Sequence, residues 1–421
     1  MSSFRPDSNI FKNLLTVIMA GGRGERLYPL TKHRSKPAVP FGGIYSIIDF
    51  TLSNCLNSGL RRIAVLSQYM SYSLERHIKE GWNLFSRELD EYIDTVSPQH
   101  QFADTWYKGT ADAVFQNIFL LDRLRPKYVL ILSGDHVYKM NYAEMINFHL
   151  EKKASLTVAT VEVETKLAAG KLGVLQVEAD GRIVDFEEKP QKPKPSPHRP
   201  GYALVNMGIY VFNTEVLVRN VVADAKKDTT HDFGRDVIPS MIPRNRCFAF
   251  NFADESDGKI LYWRDIGTIE NYYQASMDLL SPTPRFDLYD PEWPVRTHMG
   301  QYPPAKLIRG GAAPSDKGGP GKLGKAKNSI ISPGCIIDGA VVSNSVLSPG
   351  VYVGPEAVVE DSIIMHGTRI GAGCRVRRAV IDKYVRISDG RSVGFDTEKD
   401  SRYFQLSEEN GLVLIPRDFR Y

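Results

Sequence analysis

The chain has 421 residues, of which 42% are apolar and 24% charged, and its 53 Lys and Arg exceed its 49 Asp and Glu by a net charge of +4. That length exceeds one ordinary core and predicts two domains. A small net charge with no isolated Lys/Arg block excludes a general nucleic-acid binder, and no apolar run nears the ~18 residues of a membrane helix.

Along the chain, "LLTVIMA" (Leu14–Ala20) predicts a buried strand that runs into "GGRGERLYPLTKHRSKPAV". Gly21, Gly22, Arg23 and Gly24 expose successive backbone amides, which can form an anion-binding concavity, with Arg26 on the next turn and Lys36 beyond it. The loop lacks both the Gly-Lys-Ser/Thr ending of a Walker loop and the Gly-x-Gly-x-x-Gly of a dinucleotide fingerprint. By itself it is either a phosphate loop or a tight strand-to-helix turn with solvent-facing bases. A helix is predicted over Ile48–Leu56 with Gly59 as its stop, then the strand "RIAVLS" and a helix near Ser71–Lys79. "YVLILSGDH" is a strand ending on Asp135; "ASLTVATVEV" and "NMGIYVF" follow, the second beyond a Pro-rich loop at 189–200. Strands alternating with helices predict a mostly parallel sheet covered on both faces, and ligands then sit past the carboxyl ends of the strands. Gly21 and Asp135 both fall there.

A carboxylate at the end of a buried strand needs a partner or a cation, which singles out Asp135. Asp265 in "YWRDIGT" is a second acid, short of the helical "IENYYQASMDLL"; it could pair with Arg264 or share a Mg²⁺ with Asp135 and substrate phosphates. "FEEKP" ends a strand with Glu188 and Lys189, and "WYKGTADAV" joins aromatic rings, Gly109 and a helix start that Thr110 or Asp112 could cap. No Ser-His-Asp constellation, His-rich metal box or activated cysteine is evident. This inventory fits attack of a sugar phosphate on a nucleotide α-phosphate, because a phosphate with a second pKa near ~6 needs no general base at pH 7. The remaining difficulty is anionic repulsion, which Mg²⁺, Arg and Lys relieve. Cys55, Cys247, Cys335 and Cys374 are scattered without a Cys-x-x-Cys pair, and the first ten residues lack a signal pattern; both predict a reduced, cytoplasmic protein.

Residues 281–329 change texture, first Pro- and aromatic-rich, then Gly/Ser/Lys-rich around Ser315, and read as a linker. Beyond it, Ile330, Ile336 and Val342 begin triplets that recur at Leu347, Ile364 and Ile381, a 17-residue period of three inward aliphatics per coil. This is the pattern of a hexapeptide β-helix. The expected organisation is a catalytic domain over 11–280, a linker over 281–329 and a β-helix over 330–421.

"AGGRGERLYPLTKHRSKPAVPFGG", "SGDHVYKMNY", "WYKGTADAVFQN", "FEEKP", "NMGIYVF" and "YWRDIGT" together resemble the glucose-1-phosphate adenylyltransferase family. The resemblance implies a Rossmann-like, GT-A-like nucleotidyltransferase sheet followed by a left-handed parallel β-helix. It also implies ATP and glucose 1-phosphate as substrates, Mg²⁺, a homotetramer, metabolite effectors and a place in glycogen synthesis, with no nucleic acid and no membrane. Matched motif by motif, it assigns Gly21, Gly22, Arg23, Gly24 and Gly109 to the nucleotide, and Gln99, a looser match, to its base. Arg26, Lys36 and Asp135 are the implied catalytic residues, and Asp135 with Asp265 the metal ligands. Tyr107, Gly173, Glu188, Lys189 and Asn206 are implied for glucose 1-phosphate, Asn206 standing where the family usually has Ser. His33, Ser35, Pro40 and Ser46 depart from the usual effector-region pattern, and the lost positive charges predict weak or absent activation by fructose 1,6-bisphosphate. A transferase using UTP, GTP or dTTP, a non-catalytic regulatory homologue, and an acyltransferase built on His366 are the rival readings.

Overall fold

The computed structural model describes residues 8–98, 106–253, 259–310, 321–417 and 419. The chain divides into two compact units, one of Met1–Gly22 with Phe50–Trp263, the other of Arg23–Asp49 with Arg264–Tyr421. The glycine turn is therefore the point where the chain passes from one unit to the other.

The first unit is built on a nine-stranded sheet. At its centre Leu14–Ala20 pairs in parallel with Arg62–Ser67 and Tyr128–Ser133, so that Val17 faces Ala64 on one side and Ile131 on the other. Tyr92–Val96 extends this parallel block beyond Arg62–Ser67. Tyr202–Asn213 adds antiparallel to Tyr128–Ser133 and carries Leu156–Glu164, Val174–Val177 and Ile183–Glu187 toward the other edge. The sheet is thus mixed, with the parallel strands contributing the turns that concern us. Leu14, Leu15, Val17 and Ile18 are all buried, as expected when both faces of a strand are covered. One core gathers Leu15, Val129, Ile131, Phe212 and Phe233. The helices lie near their predicted places, at Ile48–Asn57 and Tyr72–Gly81.

The second unit is a parallel β-helix whose coils stack into sheets of five, five and six strands. Val342, Val359 and Val376 follow one another in register up one face, and Leu347, Ile364 and Ile381 up another. The predicted inward set is corrected in the first coil. There Ile331 pairs with Leu347 and Ile337 with Val353, whereas Ile330 and Ile336 face Val346 and Tyr352. The corner between Ile337 and Val342 is one residue shorter than that between Val353 and Val359, which shifts the first coil's phase. Two strands, Lys306–Ile308 and Lys325–Lys327, come from the segment read as linker and join the coils. Asn344, Asp361 and Arg378 hold left-handed corners one coil apart, a conformation Asn and Asp tolerate best. Serine hydroxyls stack beside them: Ser329, Ser345 and Ser362 each accept the amide of the coil above at 3.1–3.2 Å. These bonds satisfy backbone groups that the turns leave out of the strand ladders.

The Arg23–Asp49 segment is tied into this second unit by a buried ion pair. Arg34 donates to both carboxylate oxygens of Asp382, at 2.9 and 3.1 Å, with 4% and 2% of the two side chains exposed. Tyr272 Oη donates to the Pro40 carbonyl at 2.7 Å. The four cysteines are free and buried. Among the described residues no helix is long and apolar enough to cross a membrane.

Candidate active site

Three turns at carboxyl ends of parallel strands converge in the first unit. At Gly21 a Cβ would stand 3.1 Å from Gln68 Cβ and 3.8 Å from Tyr107 Cδ2. Gln68 Oε1 accepts the Tyr107 amide, and Asn117 Nδ2 donates to Tyr107 Oη at 2.9 Å. Burial raises the Tyr107 phenol above its usual pKa. Gln68 was not singled out from sequence; its signal is its place just past the strand Arg62–Ser67. At Gly22 a Cβ would meet nothing within 4 Å, so this glycine leaves open space above the turn.

Asp135 follows the end of Tyr128–Ser133, held by Gly134 N–H donating to the Met19 carbonyl at 3.0 Å. Ser133 Oγ donates to Asp135 Oδ1, and His136 Nε2 lies 3.5 Å from the same oxygen. The His136 ring in turn packs edge-on against Trp263, 5.1 Å between centroids. The carboxylate is partly exposed and rigidly supported.

The helix Thr110–Gln116 starts at Gly109 without a side-chain cap, which corrects the expectation for Thr110 and Asp112. Asp112 instead accepts the Lys108 amide at 2.8 Å, and Thr110 Oγ1 donates to Asp232 at 3.0 Å. A backbone carbonyl replaces the cap: His231 O accepts the Ala111 N–H at 2.8 Å. Any Cβ at Gly109 would fall 2.3 Å from that carbonyl and 2.4 Å from the carbonyl of Thr230. Gly109→Ala should therefore displace the helix start and cost about 1–3 kcal/mol, read as a lower midpoint in thermal unfolding; an unchanged midpoint would show that the contact yields freely.

A second cluster surrounds Glu188. A Cβ on Gly173 would lie 2.7 Å from Glu188 Oε2, and one on Gly234 2.9 Å from it, so two glycines make room for this carboxylate. Burial, and the nearby charge of Asp232, raise its pKa against the opposing pull of Lys189, 3.5 Å away. Glu187, its neighbour in "FEEKP", points elsewhere and pairs with Lys194. Gly173 O accepts the Asn206 amide at 2.9 Å. The Asn206 side chain is engaged at both ends, donating to Tyr210 Oη at 2.8 Å and accepting the Gly208 N–H at 2.9 Å. The segment His231–Asp236, which borders both Gly109 and Glu188, was also missed from sequence, since nothing local marks a loop that serves two distant elements.

In the second unit the loop after the glycines folds back on itself. Gly24 has φ +64°, and a Cβ there would meet Lys36 Cβ at 2.9 Å and Thr31 Cγ2 at 3.0 Å, which leaves glycine as the residue that fits. Arg26 follows on the short turn Glu25–Leu27. Lys36 is buried, with its Nζ 3.2 Å from Asp265 Oδ1. Arg26 Nη2 and Asp265 Oδ2 flank one point above Gly267, 3.1 and 2.7 Å from it. The fold thus brings Arg26, Lys36 and Asp265 together. Arg264 pairs with Asp278 at 3.2 Å, which sets aside the local ion pair with Asp265. Arg23 is exposed and lies 3.7 Å from Glu25. His366 packs its ring between Tyr302 and Tyr384, at 5.6 and 5.1 Å. Gln99 lies outside the described residues.

A family model for nucleotidyl transferases matches residues 15–282, and one described as GlmU-like, C-terminal hexapeptide, matches 303–415. A "Glucose-1-phosphate adenylyltransferase" of Rhodopirellula baltica is 47% identical over 97% of this chain and 91% of its own length. One from Koribacter versatilis is 45% identical over 96% and 95%, and "Glucose-1-phosphate adenylyltransferase 2" of Vibrio cholerae is 44% identical over 97% and 99%. A strand-end glycine turn and carboxylates on a parallel-rich sheet, with a hexapeptide β-helix in the same chain, define a nucleotidyltransferase. More narrowly, the chain belongs to the glucose-1-phosphate adenylyltransferase family. Nucleotidyltransferases generally use a divalent metal ion.

Proposed function

We propose that this chain converts ATP and α-D-glucose 1-phosphate to ADP-glucose and diphosphate, the first committed step of glycogen synthesis, as a cytoplasmic homotetramer. The observation that carries this reading is near-full-length similarity, at 44–47% identity, to relatives bearing that enzyme name. The attacking phosphate is largely ionised at pH 7, its second pKa being near ~6, so no residue has to remove a proton. The chain's task is to align two anions and neutralise them.

In this reading the amides of Gly21, Gly22 and Gly24, with Arg23, receive the ATP phosphates, and Gly109 and Gln99 take the nucleoside. Arg26 and Lys36 bring positive charge to the transferring phosphate. Lys189 holds the phosphate of glucose 1-phosphate, and Tyr107, Gly173, Glu188 and Asn206 surround its sugar. Glu188 accepts from sugar hydroxyls, while Asn206 offers only the hydrogen-bonding capacity that Tyr210 and Gly208 leave over. Asp135 and Asp265 are the proposed Mg²⁺ ligands: their carboxylate oxygens are the hard donors this ion takes, and both are partly exposed. Bound Mg²⁺ would neutralise phosphate charge and polarise the α-phosphate.

Diphosphate release measured with glucose 1-phosphate and each of ATP, UTP, GTP and dTTP tests the proposal. ATP should be preferred at least about tenfold, within reach of one well-placed polar contact to the base; preference for another nucleotide, or no turnover with any, would overturn it.

Regulation follows the same reading. His33, Pro40 and Ser46 bring no fixed cation to their positions; the Pro40 carbonyl serves Tyr272, and the Ser46 amide donates to Asp49 at 2.8 Å. Activation by fructose 1,6-bisphosphate at neutral pH should stay below about twofold, because each lost cation weakens a phosphate contact. Strong activation would contradict this.

A further inference from the structure

The loop 226–232 leaves the helix Thr214–Ala225, whose penultimate residue, Asp224, is buried at the end where a helix disfavours anions. Two groups compensate it: Thr229 Oγ1 donates to Oδ1 at 3.0 Å, and His231 Nδ1 to Oδ2 at 2.8 Å. His231 is itself buried and has φ 53°, a left-handed backbone that costs a non-glycine residue energy and needs support from its surroundings. The Asp224 contact supplies that support. What the held backbone accomplishes is visible one atom away. Its carbonyl takes the Ala111 N–H at the uncapped start of Thr110–Gln116. The next side chain, Asp232, accepts from Thr110 Oγ1 and from the amides of Gly234 and Arg235 at 2.9–3.1 Å. Gly234 then lies against Glu188.

We propose that His231, held by Asp224, is a positioning residue for the sugar-phosphate pocket: it touches no substrate, but fixes the helix start at Gly109 and the wall at Asp232–Gly234 relative to Glu188. The inference rests on the reading of Glu188 as part of the glucose 1-phosphate pocket. Chemistry supplies a discriminating variant. Asn places an amide N–H where His has Nδ1 and is at ease at positive φ, so His231→Asn keeps both the donor and the backbone, whereas His231→Ala keeps neither.

Two readouts test it on the full chain. In hydrogen exchange, His231→Ala should speed exchange at the amides of Ala111 and Gly234 at least tenfold and leave the central strand Leu14–Ala20 unchanged, with His231→Asn close to the parent. In kinetics, His231→Ala should raise KM for glucose 1-phosphate about tenfold with less than threefold change in kcat, and His231→Asn should restore it. Unchanged exchange at Ala111, or an Asn variant as impaired as the Ala variant, would each overturn the proposal. Altered exchange with an unaltered KM would instead keep the latch and place the sugar-phosphate pocket away from Glu188, so the two readings fail separately.

Discussion

Replacing Asp135 by alanine is expected to leave the fold intact and lower turnover on the order of 10³-fold, the scale of losing one preorganised charge-stabilising group. The fold should survive because Asp135 sits in a turn, with 27% of its side chain exposed, and its partners Ser133 and His136 are positioned by their own strand and by Trp263. Turnover should not survive, because Asp265 would be left as the single proposed carboxylate ligand for Mg²⁺, an ion bound through one or two carboxylates plus substrate phosphates. Circular dichroism checks the first half and diphosphate release at saturating ATP the second. Near-parental turnover would remove Asp135 from its proposed role, and a collapsed spectrum would give it a structural one.

The second large effect is on stability. Asp382→Ala would strand the Arg34 guanidinium, with 4% of its side chain exposed, in a site built to pair it twice. Breaking one side of such a buried pair costs about 3–5 kcal/mol, which for a unit of this size lowers its unfolding midpoint by roughly 10 °C. The double change Arg34→Met with Asp382→Leu removes both charges and should recover most of that loss. Thermal unfolding of the two variants separates the cases: equal destabilisation of single and double variants would mean that packing, rather than an uncompensated charge, dominates here.

These two effects differ in how far the sequence announces them. Asp135 is legible because a run of apolar residues, "YVLIL", fixes a buried strand, and whatever follows its carboxyl end lies where ligands bind. The coils are legible for a similar reason, since a 17-residue period repeats the same local choice four times. Arg34 and Asp382 are 348 residues apart, and no local pattern says that they meet. The same holds for the Arg23–Asp49 segment, whose composition gives no sign that it packs with the β-helix rather than the sheet that precedes it. The misplaced first coil is a subtler case. Ile330 and Ile336 obey the period, but adjacent Ile331 and Ile337 are equally apolar, and a corner shortened by one residue decides between them. At Glu188 the motif "FEEKP" marks two acids alike; the absence of a Cβ at Gly173 and Gly234 is what turns one of them inward. Periodic burial can be read from neighbours, whereas pairing across the chain depends on topology.

The proposed transfer is one displacement between two anions, with cations and geometry rather than a nucleophilic side chain lowering the barrier. Transfer from a single diastereomer of the α-thio analogue of ATP tests this most directly, with ³¹P NMR of the sugar nucleotide product. One in-line attack inverts the configuration at the α-phosphorus, which is the expected result; retention would reveal a covalent nucleotidyl-enzyme and contradict it.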